Sequence, residues 1–352
     1  KRNDLKCSAL KRQLQNNIGG MGIMKAKKIA AVMLAATMTL SLAACGGSSS
    51  SDSKSADGAS DSGKVYKIGI CQQLEHEALD QATKGFEDAC EEKFGKDNVT
   101  FDLQNGQGEQ ANCATIANNF VADNVDLIMA NATTALQCSA AATSDIPILG
   151  TSITDYATAL DISDWTGATG TSDLAPIDKQ EEMLTELVPD AKTVGILYCS
   201  AEPNSAYQAN LFAEALKKDG ITCKEYTAAD SNEIQSVVTS AVAECDALYI
   251  PTDNTMAANT EIINNICLPA KIPVIAGEQG ICSGCGIATL SISYYDIGYT
   301  AGQMAYDILV NGADITTMEI KTAPQVTKEY NADICSQLGI TPPDDYVAIE
   351  TE

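Results

Sequence analysis

An alternation of strand and helix patterns that runs twice along the chain is the feature that most limits its fold. In the first run, apolar strand patterns at residues 65–71, 99–103, 126–130 and 146–150 alternate with helical patterns at 77–94, 110–122 and 133–142. Parallel strands need crossover connections of this kind, and the helices cover both faces of the sheet. The run therefore predicts a mostly parallel sheet between two layers of helices.

The pattern then starts again, with strands at 192–199, 221–225 and 247–250 and helices at 205–218 and 234–244. Gly69 and Gly195 occupy matching positions in the two opening strands, and Asp126 and Asp246 introduce matching later segments. A tandem repeat of an α/β unit predicts two lobes of one design. Because open α/β sheets bind ligands at the carboxyl ends of their strands, we expect a cleft where the two lobes face each other.

The predicted fold class is α/β, with two similar doubly wound parallel-sheet lobes joined by a hinge. We assign residues 64–168 and about 287–314 to lobe 1, and residues 169–286 and about 315–352 to lobe 2. A strand pattern at 286–293 and a helix at 295–310 predict the crossing back to lobe 1. Gly298 and Gly302 lie one turn apart in that helix, which favours close packing against a neighbour.

The N-terminal region has the pattern of an export signal. Lysines precede an apolar run within residues 24–44, which ends in the small residues before Cys45. This predicts a secretory signal peptide. Leu42-Ala43-Ala44-Cys45 also resembles a bacterial lipobox, which would attach diacylglycerol to Cys45. A plain signal peptide with an incidental cysteine is the alternative.

Residues 45–63, rich in Gly, Ser, Asp and Ala, predict a lipid anchor point followed by a flexible linker. We interpret residues 1–23 as upstream sequence that is not normally translated. Together these segments predict a protein held by lipid at the extracytoplasmic face of the cell membrane.

Charge and cysteine content exclude several classes of protein. The chain has 47 acidic and 22 basic side chains, for a net charge of −25, which argues against nucleic acid and anionic lipid surfaces as partners. An odd number of irregularly spaced cysteines follows Cys45, which is no disulfide framework, although some pairs could form disulfides. We interpret them as small buried apolar residues. They lie at positions 71, 90, 113, 138, 199, 223, 245, 267, 282, 285 and 335.

Several short segments together resemble one known family. They are Gln72 with His76, Ala132-Thr133 to Gln137, Gly170 to Asp173, Glu202 with Asn204-Ser205, Pro251 to Thr255, and Leu338 to Pro342. With them, the run from Lys64 to about Ile340 resembles the solute-binding lipoproteins of ABC transporters, in the group that includes tryptophan and other aromatic amino-acid binders. The resemblance implies a type I periplasmic-binding-protein fold, a small-molecule solute and an ABC permease as partner. It also implies an aromatic side chain after Gln72, where this chain has Gln73, so a non-aromatic ligand remains an alternative.

A free amino acid needs one element that binds its carboxylate and one that binds its ammonium group. The helix beginning at Thr133 and Thr134 has a positive dipole end and hydroxyl donors for the carboxylate. Asp253, after a buried strand, is the first candidate for the ammonium group, with Asn254, Asp155 and Glu278 as further candidates. Ordinary helix capping is the alternative role for Thr133, Thr134 and Asp253.

Other residues complete the predicted site. His76, the only histidine, could bind the ligand, cap the following helix or lie in a solvent-facing loop. We assign Trp165 to structure, and Tyr207 could face the ligand or pack at the rim. The full set of predicted ligand-binding residues is Gln72, His76, Asn131, Thr133, Thr134, Ser152, Asp155, Ser172, Glu202, Asn204, Ser205, Asp253, Asn254 and Glu278.

The functional prediction is a monomeric binding protein of an ABC importer, with no enzymatic activity, catalytic residue, cofactor or metal. A sensor ectodomain that signals to a receptor is one alternative. A cysteine hydrolase built around Cys282 is another, although the only histidine precedes that cysteine. The C-x-x-C of Cys282 and Cys285 could also be a redox or metal motif. Within the binding class, a sugar or a nucleoside could replace the amino acid.

Overall fold

Two β-sheets organise the part of the chain that this computed structural model describes, residues 63–161 and 167–350. The strands are β1 (Tyr66–Gln72), β2 (Val99–Asn105), β3 (Leu127–Asn131), β4 (Ile148–Ile153), β5 (Ala168–Ser172), β6 (Thr193–Cys199), β7 (Thr222–Ala228), β8 (Ala247–Ile250), β9 (Val274–Ala276), β10 (Ala288–Ile292), β11 (Lys321–Thr322), β12 (Val326–Tyr330) and β13 (Val347–Ala348).

Helices lie between most of the strands. They are α1 (Glu77–Phe94), α2 (Gln110–Ala122), α3 (Thr133–Ala142), α4 (Tyr156–Leu160), α5 (Ile177–Leu187), α6 (Pro203–Lys218), α7 (Ile234–Val242), α8 (Asn254–Ala257), α9 (Thr260–Ala270), α10 (Gln279–Cys285), α11 (Tyr294–Leu309) and α12 (Ala332–Leu338). Short 3₁₀ turns occur at Lys96–Asn98, Ser231–Glu233 and Ile315–Thr317.

The first sheet has the order β11-β5-β4-β3-β1-β2, and all of its strands are parallel. Its register aligns Gln72 with Asn131, and Asn131 with Thr151. The carboxyl ends of β1, β3 and β4 therefore meet along one edge. The polar residues that follow these strands are brought together at that edge.

The second sheet has the order β13-β12-β10-β9-β8-β6-β7. Strand β12 is antiparallel to β10, and the other neighbouring pairs are parallel. In each sheet the first strand of the repeat lies between the second and the third, so β1 and β6 are equivalent. The predicted fold of two α/β lobes with parallel sheets is confirmed.

Three strands lie in a different sheet from the one predicted. Strand β10 belongs to the second sheet, so the chain crosses back to the first lobe after Ile292 and not before the strand. Strands β5 and β11 pair in the first sheet. An apolar pattern predicts a buried strand such as β10 but carries no information about which sheet it joins. Strands β5 and β11 have no apolar pattern and were not predicted as strands, so the boundaries near them were wrong as well.

Helix α11 packs closely against α1 of the first lobe, and its glycines make this possible. A Cβ at Gly298 would lie 1.9 Å from the carbonyl oxygen of Ala82, and one at Gly302 would lie 2.6 Å from that of Phe86. The predicted role of these two glycines is therefore confirmed. The helix carries the chain from the second sheet back onto the first lobe.

The cysteines of the described residues are free thiols, and all but the partly exposed Cys223 are buried. Cys282 and Cys285 lie in α10, in the apolar core between α9 and the second sheet. Burial raises the pKa of both thiols well above its usual value. They pack as apolar side chains, as the sequence predicted for this set.

No helix among the described residues is both long enough and apolar enough to cross a membrane. Residues 1–62, and with them the predicted signal peptide at 24–44, Cys45 and all but the last residue of the linker, lie outside the described residues. Trp165 lies outside them as well.

Candidate ligand-binding site

The loops at the carboxyl ends of the two sheets enclose a narrow space between the lobes, which we call the inner cavity. Its space free of protein atoms is about 270 Å³ when volume open to solvent is included, and in this arrangement it has room for about one water molecule. Its walls are His76, Leu79, Ser152, Asp173, Asn204, Thr252, Asp253, Asn254, Ala257, Glu278 and Tyr294. Predicted site residues from both lobes are thus brought together in the cleft that the sequence indicated.

Asp253 follows β8 and is at once a wall of the inner cavity and the N-cap of α8. Its Oδ1 accepts the Met256 N–H at 2.8 Å, and its Oδ2 accepts the Cys199 N–H at 2.6 Å. The residue is 2% exposed, and this burial, with the nearby charge of Glu202, raises the pKa of Asp253 to about 8. The capping alternative is correct, and a role in binding an ammonium group stays a prediction.

Two further carboxyl groups face the same cavity. Glu278 caps α10 by accepting two of its backbone N–H groups, and burial raises its pKa to about 7. Asp173 lies just after β5 and accepts hydrogen bonds from the hydroxyls of Thr154 at 3.0 Å and Tyr294 at 3.1 Å. Burial raises the pKa of Asp173 to about 6.

The inner cavity has no permanently cationic counterpart to these acids among its described walls, and burial lowers the pKa of its histidine, His76. Neither lysine nor arginine occurs among the described residues that line it. Buried carboxylates without a countercharge are costly, which is the physical cause of the raised pKa values. An ammonium group in the cavity would supply the missing charge and form charge-assisted hydrogen bonds.

Two buried polar atoms on the cavity walls have no hydrogen-bond partner among the described residues. They are Oγ of Ser152 and Oδ1 of Asn204, in side chains that are 5% and 8% exposed. Ser152 also has a φ of 57°, in the left-handed region that a non-glycine residue adopts at a cost of about 1–3 kcal/mol. Unsatisfied polar atoms and backbone strain at one place are typical of a ligand site.

Direct hydrogen bonds join the lobes across this cavity. Nε2 of His76, at the start of α1, lies 3.1 Å from Oδ1 of Asn254 in α8. Nε2 of Gln208, in α6, donates to the Thr154 hydroxyl at 2.9 Å. His76 is therefore neither a free loop residue nor, in this arrangement, a group whose Nε2 is open to a ligand. Burial lowers the pKa of its imidazole.

Glu202 holds the beginning of α8 and does not line the inner cavity. Its Oε2 accepts the backbone N–H and the Nδ2 of Asn254 at 3.0 and 2.6 Å. Its Oε1 accepts the backbone N–H and the hydroxyl of Thr255 at 2.9 and 2.7 Å. The carboxylate is satisfied within its own lobe and supports α8, and its direct contact with a ligand stays a prediction.

The start of α3, predicted to bind a carboxylate, is partly occupied by the protein itself. The Thr134 N–H donates to Oε1 of Gln73 at 3.0 Å. Thr133 is buried beside Asp155, Asn204 and Tyr207 in a second small space between the lobes. Carboxylate binding by the Thr133 and Thr134 hydroxyls stays a prediction.

Asp155, a further candidate for the ammonium group, caps α4, since its Oδ2 accepts the Thr158 N–H at 2.7 Å. Its contact with a ligand stays a prediction. Asp155 is partly exposed and does not line the inner cavity. Tyr207 lies across from it, at the rim of the lobe interface.

Four predicted residues lie behind the cavity walls, because their polar atoms are used within the scaffold. The amide of Gln72 bonds Asp80, Thr83 and the Leu74 carbonyl. Asn131 donates to the Leu79 carbonyl, Ser172 to the Thr154 carbonyl, and Ser205 accepts from Asn204. Gln72, Asn131 and Ser172 are the last residues of their strands, and Ser205 lies in the first turn of α6. The sequence pattern indicates this position along an element and does not indicate the partners of each side chain.

Five residues of the inner cavity were not predicted from the sequence: the apolar Leu79 and Ala257, and Asp173, Thr252 and Tyr294, which carry polar groups. Asp173 and Thr252 belong to segments that the family resemblance had singled out, so a signal for them was present. Tyr294 begins the helix that crosses between lobes, and only the assignment of β10 to the second sheet places it at the cleft.

The cysteine-hydrolase alternative has no geometric support. Cys282 is fully buried in the core of the second lobe. His76, the only histidine, lies in the first lobe and is hydrogen-bonded to Asn254. The nucleophile and the base of a catalytic pair need to be within hydrogen-bond reach of each other.

Comparison with known proteins also indicates a ligand-binding protein. The chain is 34% identical over 325 residues to a tyrosine-binding protein of Clostridioides difficile (strain R20291), covering 90% of this chain and 94% of that protein. A solved ABC domain from Streptococcus pneumoniae in complex with L-Trp has a TM-score of 0.77 and 32% identity, covering 80% of this chain and 97% of that one.

A ligand-free, open substrate-binding protein with adhesive properties from Clostridium difficile has a TM-score of 0.64 and 36% identity, covering 82% of this chain and all of that one. The structure is thus more similar to the L-Trp complex than to the open protein, in agreement with the direct hydrogen bonds between its lobes. The family model of ABC transporter substrate-binding proteins matches residues 67–352. The chain belongs to this family of ABC transporter substrate-binding proteins.

Proposed function

We propose that this substrate-binding protein captures an aromatic amino acid in the inner cavity and the space beside it, and delivers it unchanged to its ABC permease. The observation that carries the proposal is the set of three buried carboxyl groups, Asp173, Asp253 and Glu278. No lysine or arginine is among the described residues that line their cavity, and burial lowers the pKa of the histidine there, His76. Such a site favours a ligand with an ammonium group. The relatives named for tyrosine and bound to L-Trp support an amino acid with a ring.

Ligand-stabilised closure is the mechanism that these charges favour. Closing the lobes removes Asp253 and Glu278 from water, which is unfavourable while they have no countercharge. A ligand ammonium provides that countercharge only in the closed arrangement, so it binds the closed state more tightly than the open one. The hydrogen bonds from His76 and Gln208 then hold the lobes together around it.

The unpartnered atoms give the ligand further contacts. Oδ1 of Asn204 is an acceptor that can share the ammonium group, and the Ser152 hydroxyl is a donor that can bond a carboxylate oxygen. The hydroxyls of Thr133 and Thr134 lie at the dipole end of α3 and add to the carboxylate side. The ligand is thus held from both lobes.

The N-terminal sequence supports ligand capture at the outer face of the membrane. A signal peptide at 24–44, a lipid on Cys45 and a linker to residue 63 would keep a monomeric receptor beside its permease at the outer face of the membrane. No chemical step is part of this proposal, because capture and release alone serve an importer. Labelling of the protein by a radioactive fatty acid in cells, and its loss in Cys45→Ser, tests the anchor.

Isothermal titration calorimetry of the purified protein with the aromatic amino acids tests the binding function. We expect saturable binding of at least one of them, and a loss of affinity of more than tenfold in Asp253→Asn. Asp246→Asn is the matched control, since Asp246 also accepts two backbone N–H groups in the same lobe but is remote from the cavity. Binding of a sugar or a nucleoside, with no heat from any amino acid, would refute the proposed ligand class.

A further inference from the structure

The dipeptide Asn-Gly occurs twice in the chain, as Asn105-Gly106 and as Asn311-Gly312. In this dipeptide the backbone nitrogen of glycine can reach the side-chain carbonyl carbon of asparagine, because glycine has no Cβ to hinder the approach. The two copies therefore share the same intrinsic capacity for an attack of the chain on its own side chain. The structure places them in different surroundings, and this difference decides which of them can react.

Asn105 and Gly106 belong to a loop after β2 that is fixed by hydrogen bonds. Gly106 is buried, and its N–H donates to the Gln72 carbonyl at 2.8 Å. Oδ1 of Asn105 accepts the Gln107 N–H at 2.7 Å, and Nδ2 of Asn112 donates to the Gly106 carbonyl at 3.1 Å. The attacking nitrogen and the side-chain carbonyl that it would attack are thus both held by other partners.

Asn311 and Gly312 follow the C-terminal end of α11 at the surface. Both residues are exposed, and no atom lies within 4 Å of the position that a Cβ on Gly312 would occupy. The Gly312 N–H donates to no described residue, so hydrogen bonding does not hold its nitrogen away from the preceding side chain. Nδ2 of Asn311 donates to Oδ1 of Asp307 at 2.8 Å, but this bond is exposed, where water competes for both groups. The nitrogen and the carbonyl carbon are therefore able to meet.

We propose that Asn311 is a modification site, at which the chain converts asparagine to aspartate and isoaspartate through a cyclic imide, while Asn105 is protected. The Gly312 nitrogen bonds to Cγ of Asn311, the bond from Cγ to Nδ2 breaks, and the Gly312 amide proton leaves with Nδ2 as ammonia. Water then opens the ring at Cγ to give aspartate, or at the main-chain carbonyl carbon of Asn311 to give isoaspartate. Water is the only co-reactant.

The products change the charge and the backbone at the end of α11. A carboxylate in place of the Asn311 amide lies beside Asp307 and at the negative end of the helix dipole, and both neighbours are unfavourable for it. Isoaspartate also adds one carbon to the backbone before Gly312, which displaces Ala313, whose N–H donates to the Asp307 carbonyl at 2.9 Å. The modified protein should therefore melt about 1–4 °C below the unmodified one. Ligand affinity should not change, because Asn311 does not line the inner cavity.

Timed incubation of the folded protein in water enriched in heavy oxygen, followed by proteolysis and peptide mass spectrometry, tests the assignment. The peptide that contains Asn311 should gain one heavy oxygen atom and separate into an aspartate and an isoaspartate form. Its conversion should be at least about tenfold faster than that of the peptide with Asn105, because a buried, hydrogen-bonded segment reacts only after local opening. In the chain unfolded by urea the two peptides should convert at similar rates, and this is the matched control.

Two variants connect the modification to its effect on stability. Asn311→Gln keeps an amide but would have to form a larger ring, so it should stop both the modification and the fall in melting temperature. Asn311→Asp should reproduce the part of that fall due to charge in freshly purified protein. The inference is wrong if Asn311 stays an amide in the folded protein, or if Asn105 and Asn311 convert equally there. An unchanged melting temperature after full conversion would contradict the effect on α11.

Discussion

Nε2 of His76 lies 3.1 Å from Oδ1 of Asn254, and this contact joins the N-terminal end of α1 in the first lobe to α8 in the second. The two residues also line the inner cavity, so the bond lies beside the proposed ligand. Glu202 fixes the Asn254 side chain by accepting from its Nδ2 at 2.6 Å. The contact is therefore held in a defined position in the second lobe and is broken only when the lobes separate.

Removal of the imidazole should speed ligand release. In His76→Ala the closed state loses one hydrogen bond of about 0.5–1.5 kcal/mol, which corresponds to a dissociation constant raised by up to about tenfold. The change should appear mainly in the dissociation rate, measured by stopped-flow fluorescence. Thr154→Val removes the other bond between the lobes, to Gln208, and should act in the same direction. An unchanged dissociation rate in both variants would show that these bonds do not hold the closed state.

The three buried carboxyl groups predict how the stability of the closed, unliganded protein depends on pH. Burial raises the pKa to about 8 for Asp253, about 7 for Glu278 and about 6 for Asp173. Their stabilising contribution is complete below the unfolded pKa values near 4 and is lost as pH rises through the folded values. The melting temperature without ligand should therefore fall between about pH 5 and pH 8. Asp253→Asn should flatten this profile, and a wild-type melting temperature that rises over the interval would contradict the assignment.

Ligand affinity should change with pH in the opposite direction. An ammonium group binds the carboxylate form of Asp253, so at low pH a proton must first leave that carboxyl group. Affinity should rise from about pH 5.5 to pH 8, over the range of the raised pKa values. Other titratable groups near Asp253 are Glu202 and Cys199 in its own lobe and His76, Asp173 and Glu278 on the walls of the same cavity. The Glu202 charge contributes to the raised pKa of Asp253. Calorimetry in buffers of different ionisation enthalpy should show that protons are released on binding below pH 8. If none are released, the ligand ammonium does not replace a proton on Asp253.

Sequence patterns identified the lobes and the edge of the sheets where ligands bind, because both follow from periodicity and from strand order. The strand–helix alternation was sufficient to place Asp253 and Asn254 at the cleft, just after the strand predicted at 247–250. Glu278 was a further candidate without a predicted strand before it, since β9 was not predicted. The sequence pattern could not distinguish the role of Asp253, which lines the inner cavity, from that of Gln72. The amide of Gln72 is hydrogen-bonded to Asp80 and Thr83 within the first lobe. That distinction depends on which neighbours a buried polar group finds, and these neighbours come from other elements.

The sheet membership of β10 was beyond prediction for a similar reason. Ala288–Ile292 is buried on both faces, and such a strand fits the centre of either sheet. The pairing of β10 with β9 and β12 determines which sheet it joins, and that pairing depends on contacts between residues that are distant in sequence. Tyr294, two residues beyond this strand, was missed as a cavity residue as a direct consequence.

The close approach of α11 to α1 predicts a large loss of stability on adding a single methyl group. A Cβ at Gly298 would overlap the Ala82 carbonyl oxygen, which belongs to the backbone and cannot turn away. Gly298→Ala should destabilise the protein by about 3 kcal/mol, as measured by urea unfolding, because the helices must separate. Gln303→Ala, at a partly exposed position of the same helix, is the control and should change stability by less than about 0.5 kcal/mol. Equal effects of the two substitutions would show that the helices can separate without cost.

Ser152 predicts a case in which stability and binding change in opposite directions. Its φ of 57° is unfavourable for serine and accessible to glycine, and its buried Oγ has no partner among the described residues. Ser152→Gly should therefore raise the stability of the unliganded protein by up to about 1 kcal/mol while weakening ligand binding, since the hydroxyl is lost. Ser152→Ala keeps the backbone strain and should weaken binding to a similar degree without the gain in stability. Thermal unfolding and calorimetry on both variants distinguish these effects. If the glycine variant binds as tightly as the wild type, the Ser152 hydroxyl does not contact the ligand, and the backbone strain at this residue serves only the shift in register between Gly150 and Ile153 of β4.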